Sequence, residues 1–246
     1  YVGGTMRPAM EELARRYTKK TGRAVEIDYA GSGELLARIE EQQTGDLYVC
    51  HDPFLDILMD RELGRDGWTV AALTPVIVVP DGNPKGIQGL RDLRQPGLSL
   101  VLTDYRYSTL GHMLPTIFRR AEMDFEALKT ENVRKTIKSG GQAANDVAIE
   151  RHDAALVWNA VAHLREDRLD AVEIPPAHLP RPEVDAISSA SGKKWDMSTV
   201  RVTIATLGCS DQPAKAKDFA EFVAGADGAE VFEEYGFTIV PVKKEY

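Results

Sequence analysis

Cysteine is nearly absent: Cys50 and Cys209 are the only two in 246 residues. That excludes a disulfide scaffold and a four-cysteine zinc site. A bridge between the two is not expected either, because pairing demands close, well-oriented Cβ atoms. Histidine is scarce as well. His51, His112, His152, His163 and His178 fall at none of the spacings of a metal-binding motif, so no metal and no cofactor is expected. There is no apolar run long enough to span a bilayer. Nor is there a surplus of positive charge: the formal net charge is -8, and the basic residues Arg119, Arg120, Arg134 and Lys138 are interspersed with acids. A broad nucleic-acid surface, which needs clustered Lys and Arg, is excluded on that ground. The opening Tyr1-Val2 runs at once into "GGTMRPAMEELARR", leaving no room for a full strand before the first helix. The expectation is a trimmed start, with any secretory signal lost, so that the lack of a leader says nothing about compartment.

With 43% hydrophobic and 28% charged residues, the chain has the material for two units of ordinary domain size. Met10, Leu13, Ala14 and Tyr17 recur at helical spacing and stop at Gly22. "AVEIDYA" reads as a strand, Leu35, Leu36 and Ile39 mark a second helix, "GDLYVCHD" is a strand, and "PFLDILMDREL" is a helix with Pro53 in its first turn. This β–α alternation predicts a parallel sheet with its crevice at the strand carboxyl ends. "WTVAALTPVIVVPDGNP" breaks the rhythm and reads as a crossing to a second lobe. There "LSLVLTDY", "STLGHMLPTIFRRAEM", "GGQAANDVAIERHD", "AALVWNA" and "AVAHLRED" give strand, helix, helix, strand and short helix. Residues 175–197, rich in turn formers, are expected to return the chain, and "VRVTIATL" followed by two helices closes it. The expected division is 1–77 with 179–246 as one lobe and 78–178 as the other, with a cleft between them.

Four turns share one construction. Gly4 and Thr5, then Ser32 with Gly31 and Gly33, lie in the first lobe; Ser108 and Thr109, then Gly140, Gly141 and Gln142, lie in the second. The last has no clear strand before it. Each serine is a good N-cap, which is the plain structural explanation. Jointly, neutral hydroxyls and amides at helix starts also surround an anion with donors while adding no formal charge.

The order "GTMRPAM", "YAGSGELLARIE", "GDLYVCHDPFLDIL", "TPVIVVPDGNP" and "VFEEYGFT" resembles the periplasmic molybdate-binding proteins of ABC importers and their close relatives, over nearly the whole chain. The resemblance implies an α/β, two-lobed type II periplasmic binding fold that holds a dehydrated tetrahedral oxyanion with neutral donors. By that resemblance the family's first serine matches Thr5, beside Gly4, and its second matches Ser32, beside Gly33. Backbone donors fall near Ser108, Thr109 and Leu110 and near Gln142, and the family's tyrosine is replaced by Trp158. An indole offers a single N–H in a different place and more bulk, which leaves a related or bulkier oxyanion open. Trp158 also reads as a core aromatic, and Asn159 as a substitute donor that a regular strand would turn the other way.

"CHD" invites a second reading, a hydrolase or transferase using Cys50, His51 and Asp52. In a regular strand Cys50 and Asp52 share a face and His51 points away, so adjacency builds no couple, and Asp52 is expected to cap the helix at Pro53. Arg106 reads as a solvated loop arginine or an anion contact. The favoured expectation is a non-enzymatic, monomeric, exported receptor that captures a molybdate- or tungstate-like oxyanion and presents it to an ABC importer permease, outside the cytoplasm and free or lipid-anchored. A different ligand in the same role, an organic anion or a metal, stays open.

Overall fold

The computed structural model describes residues 1–104, 108–181, 184–188, 194–196 and 200–246. The chain divides into two compact units, Tyr1–Leu73 with Val200–Tyr246 and Thr74–Thr199.

Unit 1 begins with β1 (Val2–Gly3) and a single 3-10 turn, Gly4–Met6, that runs into α1 (Arg7–Thr21). Ala9, Met10, Leu13, Ala14 and Tyr17 form the buried stripe of α1, as the spacing predicts. Gly22 stops the helix in the left-handed conformation, at φ 73°, which costs a residue without Cβ nothing. Next come β2 (Tyr29–Ala30), α2 (Ser32–Gln42), β3 (Leu47–His51), α3 (Phe54–Asp60) and β4 (Gly64–Leu73). The strand expected over "AVEIDYA" is confined to Tyr29 and Ala30, because the ladder with β1 consists of Val2↔Tyr29 and Gly3↔Ala30 alone. Leu35, Leu36 and Ile39 of α2 pack with Tyr48, Cys50, Leu55 and Leu58 in one buried cluster. Each such aliphatic side chain contributes about 1.5–3 kcal/mol by leaving water.

The chain enters unit 2 with β5 (Pro75–Pro80), then β6 (Leu100–Thr103), α4 (Thr109–Arg120), α5 (Phe125–Glu131), β7 (Val133–Ile137), α6 (Gly140–Ala148), β8 (Ala154–Trp158), α7 (Asn159–His163) and β9 (Leu169–Glu173). The sheet order is β7-β6-β8-β5-β9. A small antiparallel hairpin, β10 (Ala186–Ser188) with β11 (Lys194–Asp196), follows; of the expected return segment, residues 182–183, 189–193 and 197 lie outside the described residues. The chain re-enters unit 1 with β12 (Val200–Leu207), α8 (Pro213–Val223), α9 (Ala226–Glu234) and β13 (Lys243–Lys244), completing the sheet order β13-β4-β12-β3-β1-β2.

Three expectations change. Neither sheet is purely parallel: β12 lies antiparallel to both β3 and β4, and β5 antiparallel to both β8 and β9. A strand does precede the fourth turn, namely β7, and β9 is a further one. The unit boundaries fall at 73/74 and 199/200, where 77/78 and 178/179 were expected. Pairing of β5 with β8 and β9 keeps residues 75–77 in unit 2. The buried Asp185, held by the guanidinium groups of Arg119 and Arg120, keeps the segment after 178 there too.

Asp52 does not cap α3. The N-cap of α3 is Pro53, without a side-chain cap. The Asp52 carboxylate, 4% exposed, instead accepts from the Arg201 backbone N–H (2.7 Å), Nη2 (2.8 Å) and Nε (3.1 Å) across the β3–β12 ladder. Arg201 also donates to Asp56 at 2.8 Å. Removing the guanidinium would leave a buried carboxylate without its countercharge. Arg201→Leu is expected to destabilise unit 1 by about 3 kcal/mol, read as a lower urea midpoint with an unchanged slope.

Candidate functional site

In unit 1 the first two turns come together. The helix start at Ser32 differs from the expected serine cap: the N-cap is Gly31, Ser32 is the first helical residue, and no side chain caps α2. The leading N–H groups of a helix have no intrahelical acceptor, so an uncapped start presents donors to whatever lies before it. Ser32 is 6% exposed, and its Oγ has no hydrogen-bond partner among the described residues. A buried orphan hydroxyl costs about 1–3 kcal/mol, and folding tolerates that where a ligand supplies the missing partner.

Two neighbours fix this hydroxyl. A Cβ on Gly3 would lie 2.6 Å from Ser32 Oγ and 2.7 Å from Met6 Cε, so only glycine fits at the end of β1. The fully buried Tyr48 donates its hydroxyl to the Ser32 carbonyl at 2.6 Å. Burial pushes the Tyr48 phenol far above its ordinary value, so it stays a neutral donor. The 3-10 turn that carries exposed Gly4 and half-buried Thr5 follows Gly3 directly and also lacks a side-chain cap. Gly33 is exposed, with a Cβ position 3.3 Å from the Phe54 ring.

Unit 2 gathers its turns at the carboxyl ends of β6, β7 and β8, which run parallel. Its serines behave differently. Ser108 is the N-cap of α4, and its Oγ accepts from the Gly111 N–H at 2.8 Å; Thr109 and Leu110 open the helix. The cap of α6 is Ser139, whose Oγ accepts from the Gln142 N–H at 3.4 Å, so that amide is engaged and the Gln142 side chain is exposed. Trp158 is 6% exposed, the last residue of β8 and the N-cap of α7. Asn159 is tied to the residue before β5: its Oδ1 accepts from the Thr74 N–H at 3.0 Å, and its own backbone N–H donates to the Thr74 carbonyl at 2.9 Å. Arg106 lies outside the described residues. One residue that the sequence pattern does not single out is Thr103, at the end of β6, 3% exposed and with no partner for Oγ1 among the described residues. A threonine inside an apolar strand gives no signal of its own.

The Cys50, His51 and Asp52 run is structural. Burial pushes the Cys50 thiol up to about 12, and its Sγ sits 3.3 Å from the Thr203 hydroxyl. Burial holds His51 below its ordinary value, with Nδ1 donating to the Asp52 carbonyl at 2.8 Å. Asp52 is occupied by Arg201. A protonated thiol, a neutral imidazole turned to a backbone carbonyl and an ion-paired carboxylate assemble no nucleophile. No group of acidic, histidine and cysteine side chains able to hold a metal occurs among the described residues.

The family profile described as "Bacterial extracellular solute-binding protein" matches residues 1–238. The chain belongs to this family. Relatives at a distance include a Haemophilus influenzae protein that carries only the general name of binding protein, 26% identical over 242 residues, covering 96% of this chain and 89% of its relative. The molybdate-binding protein ModA of Mycobacterium tuberculosis is 24% identical over 241 residues, covering 96% and 82%. Among solved structures, the sulfate-binding protein SubI of M. tuberculosis superposes with a TM-score of 0.74 at 18% identity, covering 97% and 85%. The periplasmic molybdate-binding protein of Azotobacter vinelandii gives 0.70 at 14%, covering 98% and 100%. These likenesses bear out the α/β fold of periplasmic binding proteins and the resemblance to their molybdate-binding branch. The family consists of binding proteins, which agrees with the structural role of Cys50, His51 and Asp52.

The two thiols of this family member are free, Cys50 buried and Cys209 half-buried. Titration with a disulfide reagent is expected to modify Cys209 readily in the native protein and Cys50 only after guanidinium unfolding. Fast native reaction of Cys50 would restore the nucleophile reading.

Proposed function

We propose that the protein is an exported receptor that captures a small tetrahedral oxyanion and hands it to a membrane ABC importer. The observation that carries this reading is the buried, unpartnered Ser32 hydroxyl at an uncapped helix start, framed by Gly3 and Tyr48. Neutral donors of this kind match an anion stripped of water, whose charge is spread over several oxygens. Membership of an extracellular solute-binding family supports the location and the importer partner. No helix among the described residues is long and apolar enough to cross a membrane, consistent with delivery to a separate permease.

The ligand class rests on the same donors. In unit 1 the donors are the hydroxyls of Ser32 and Thr5. Taken by itself, unit 2 has Ser108 and Ser139 bonded within their own helices, so the donors proposed there are backbone N–H groups at the start of α4, those of Gly140 and Gly141, and Trp158. Molybdate and tungstate head the candidates, since the name of the M. tuberculosis relative gives molybdate, and sulfate follows from the likeness to the sulfate-binding SubI. The indole in place of a phenol leaves a related or bulkier oxyanion open.

Isothermal titration against molybdate, tungstate, sulfate and phosphate tests the reading, with thermal stabilisation by the same anions as a second readout. Ser32→Ala is expected to weaken binding about 10- to 100-fold, the equivalent of about 1.5–3 kcal/mol for a hydrogen bond to a charged group. The apo protein should unfold no earlier, because the hydroxyl has no partner to lose. Gly3→Ala, which drives a methyl into Ser32 Oγ, is expected to abolish binding. Unchanged affinity in Ser32→Ala removes the site.

A further inference from the structure

We infer that the Thr103 hydroxyl is a ligand contact in unit 2, presented to the bound anion under the first turn of α6. This inference rests on the oxyanion reading above. Register gives the direction of the side chain. Thr103 pairs with Ile137 of β7, and Val101 pairs with Ala155 of β8, both in parallel ladders. Side chains two apart on a strand share a face, so Thr103 faces the same way as Val101 and Val157 the same way as Ala155. Thr103 and Val157 therefore point to the same side of the sheet. That side is the one covered by α6, which packs on β6 and β8: the Cβ position of Gly140 lies 4.0 Å from Val157 Cγ1. Thr103 thus lies on the face of the sheet covered by a nine-residue helix whose first residues are Gly140 and Gly141.

Burial gives the second argument. At 3% exposure, Thr103 Oγ1 has lost water and found no protein partner among the described residues, while its backbone stays in the ladder and the following Asp104 N–H donates to the Ile137 carbonyl at 2.8 Å. A threonine kept for packing alone gains nothing over valine, which has the same shape and no polar atom. The hydroxyl is accounted for by an acceptor that arrives with the ligand. A neutral O–H donor beside the helix-start N–H groups of Gly140 and Gly141 suits an oxyanion oxygen and repeats, in unit 2, the pairing of Ser32 with α2.

The test uses the intact protein with molybdate and with sulfate, comparing Thr103→Val, Thr103→Ser and Ser32→Ala by isothermal titration and apo thermal melting. Thr103→Val is expected to bind the better of the two anions at least about tenfold more weakly, the scale of one charge-assisted hydrogen bond. Its apo melting temperature should be equal or higher, because an orphan hydroxyl becomes a methyl. Thr103→Ser should stay within about threefold of the parent, since the donor is kept. If Ser32→Ala weakens binding and Thr103→Val binds like the parent, Thr103 is a core residue and this inference fails alone. If the parent binds neither anion, or if all three variants bind as it does, the oxyanion reading falls and this inference with it. Should Thr103→Val not fold, Thr103→Ala takes its place under the same criteria.

Discussion

An anion can be held away from water by uncharged groups only if those groups are fixed in place beforehand and have nothing else to bond to. The start of α2 meets both conditions. Its first N–H groups are uncapped, the Ser32 hydroxyl is buried without a partner among the described residues, and the surrounding chain is built to keep it so. Gly3 leaves room that any other residue would fill, and Tyr48 ties the Ser32 carbonyl to the core. Such a site is a local debit to stability, carried by the aliphatic cluster of Leu35, Leu36, Ile39, Leu55 and Leu58 beneath it.

The charged residues of the neighbourhood are arranged so as not to interfere. Arg7 is bonded to Glu11, Arg15 to Glu12, Arg16 to Glu12, Glu230 and Glu234, and Arg38 to Asp28 and Glu34. Paired in this way, with Arg7 and Arg15 exposed and Arg16 and Arg38 half-buried, each guanidinium group has its charge locally cancelled. What remains at the helix starts is the directed field of backbone dipoles.

Periodicity made the helices of unit 1 legible, since the stripe Met10, Leu13, Ala14 and Tyr17 is the buried face of α1, and small residues before helix starts marked the turns. The finer roles of those turns were not legible. Whether a serine caps its own helix, as Ser108 does, or stands one position inside with its hydroxyl unpartnered, as Ser32 does, depends on a one-residue offset of the helix boundary. β7 escaped because "VRKTI" is an edge strand with Arg134, Lys135 and Thr136 exposed, and so shows no apolar run. The Asp52–Arg201 pair joins residues 149 apart, and its formation converts what reads as a helix cap into a cross-strand anchor. Thr103 needed register between three strands before its direction had any meaning.

The sheet order of unit 1 also governs how the molecule is made. β3 and β4 do not touch as ladder partners; β12, from the far side of unit 2 in sequence, lies between them and hydrogen-bonds both. During synthesis residues 1–73 therefore emerge with a gap in the middle of their sheet, and the contiguous unit 2 is complete before the strand that closes the gap leaves the ribosome. The half of the molecule that holds Ser32 is thus completed only after unit 2 has been made.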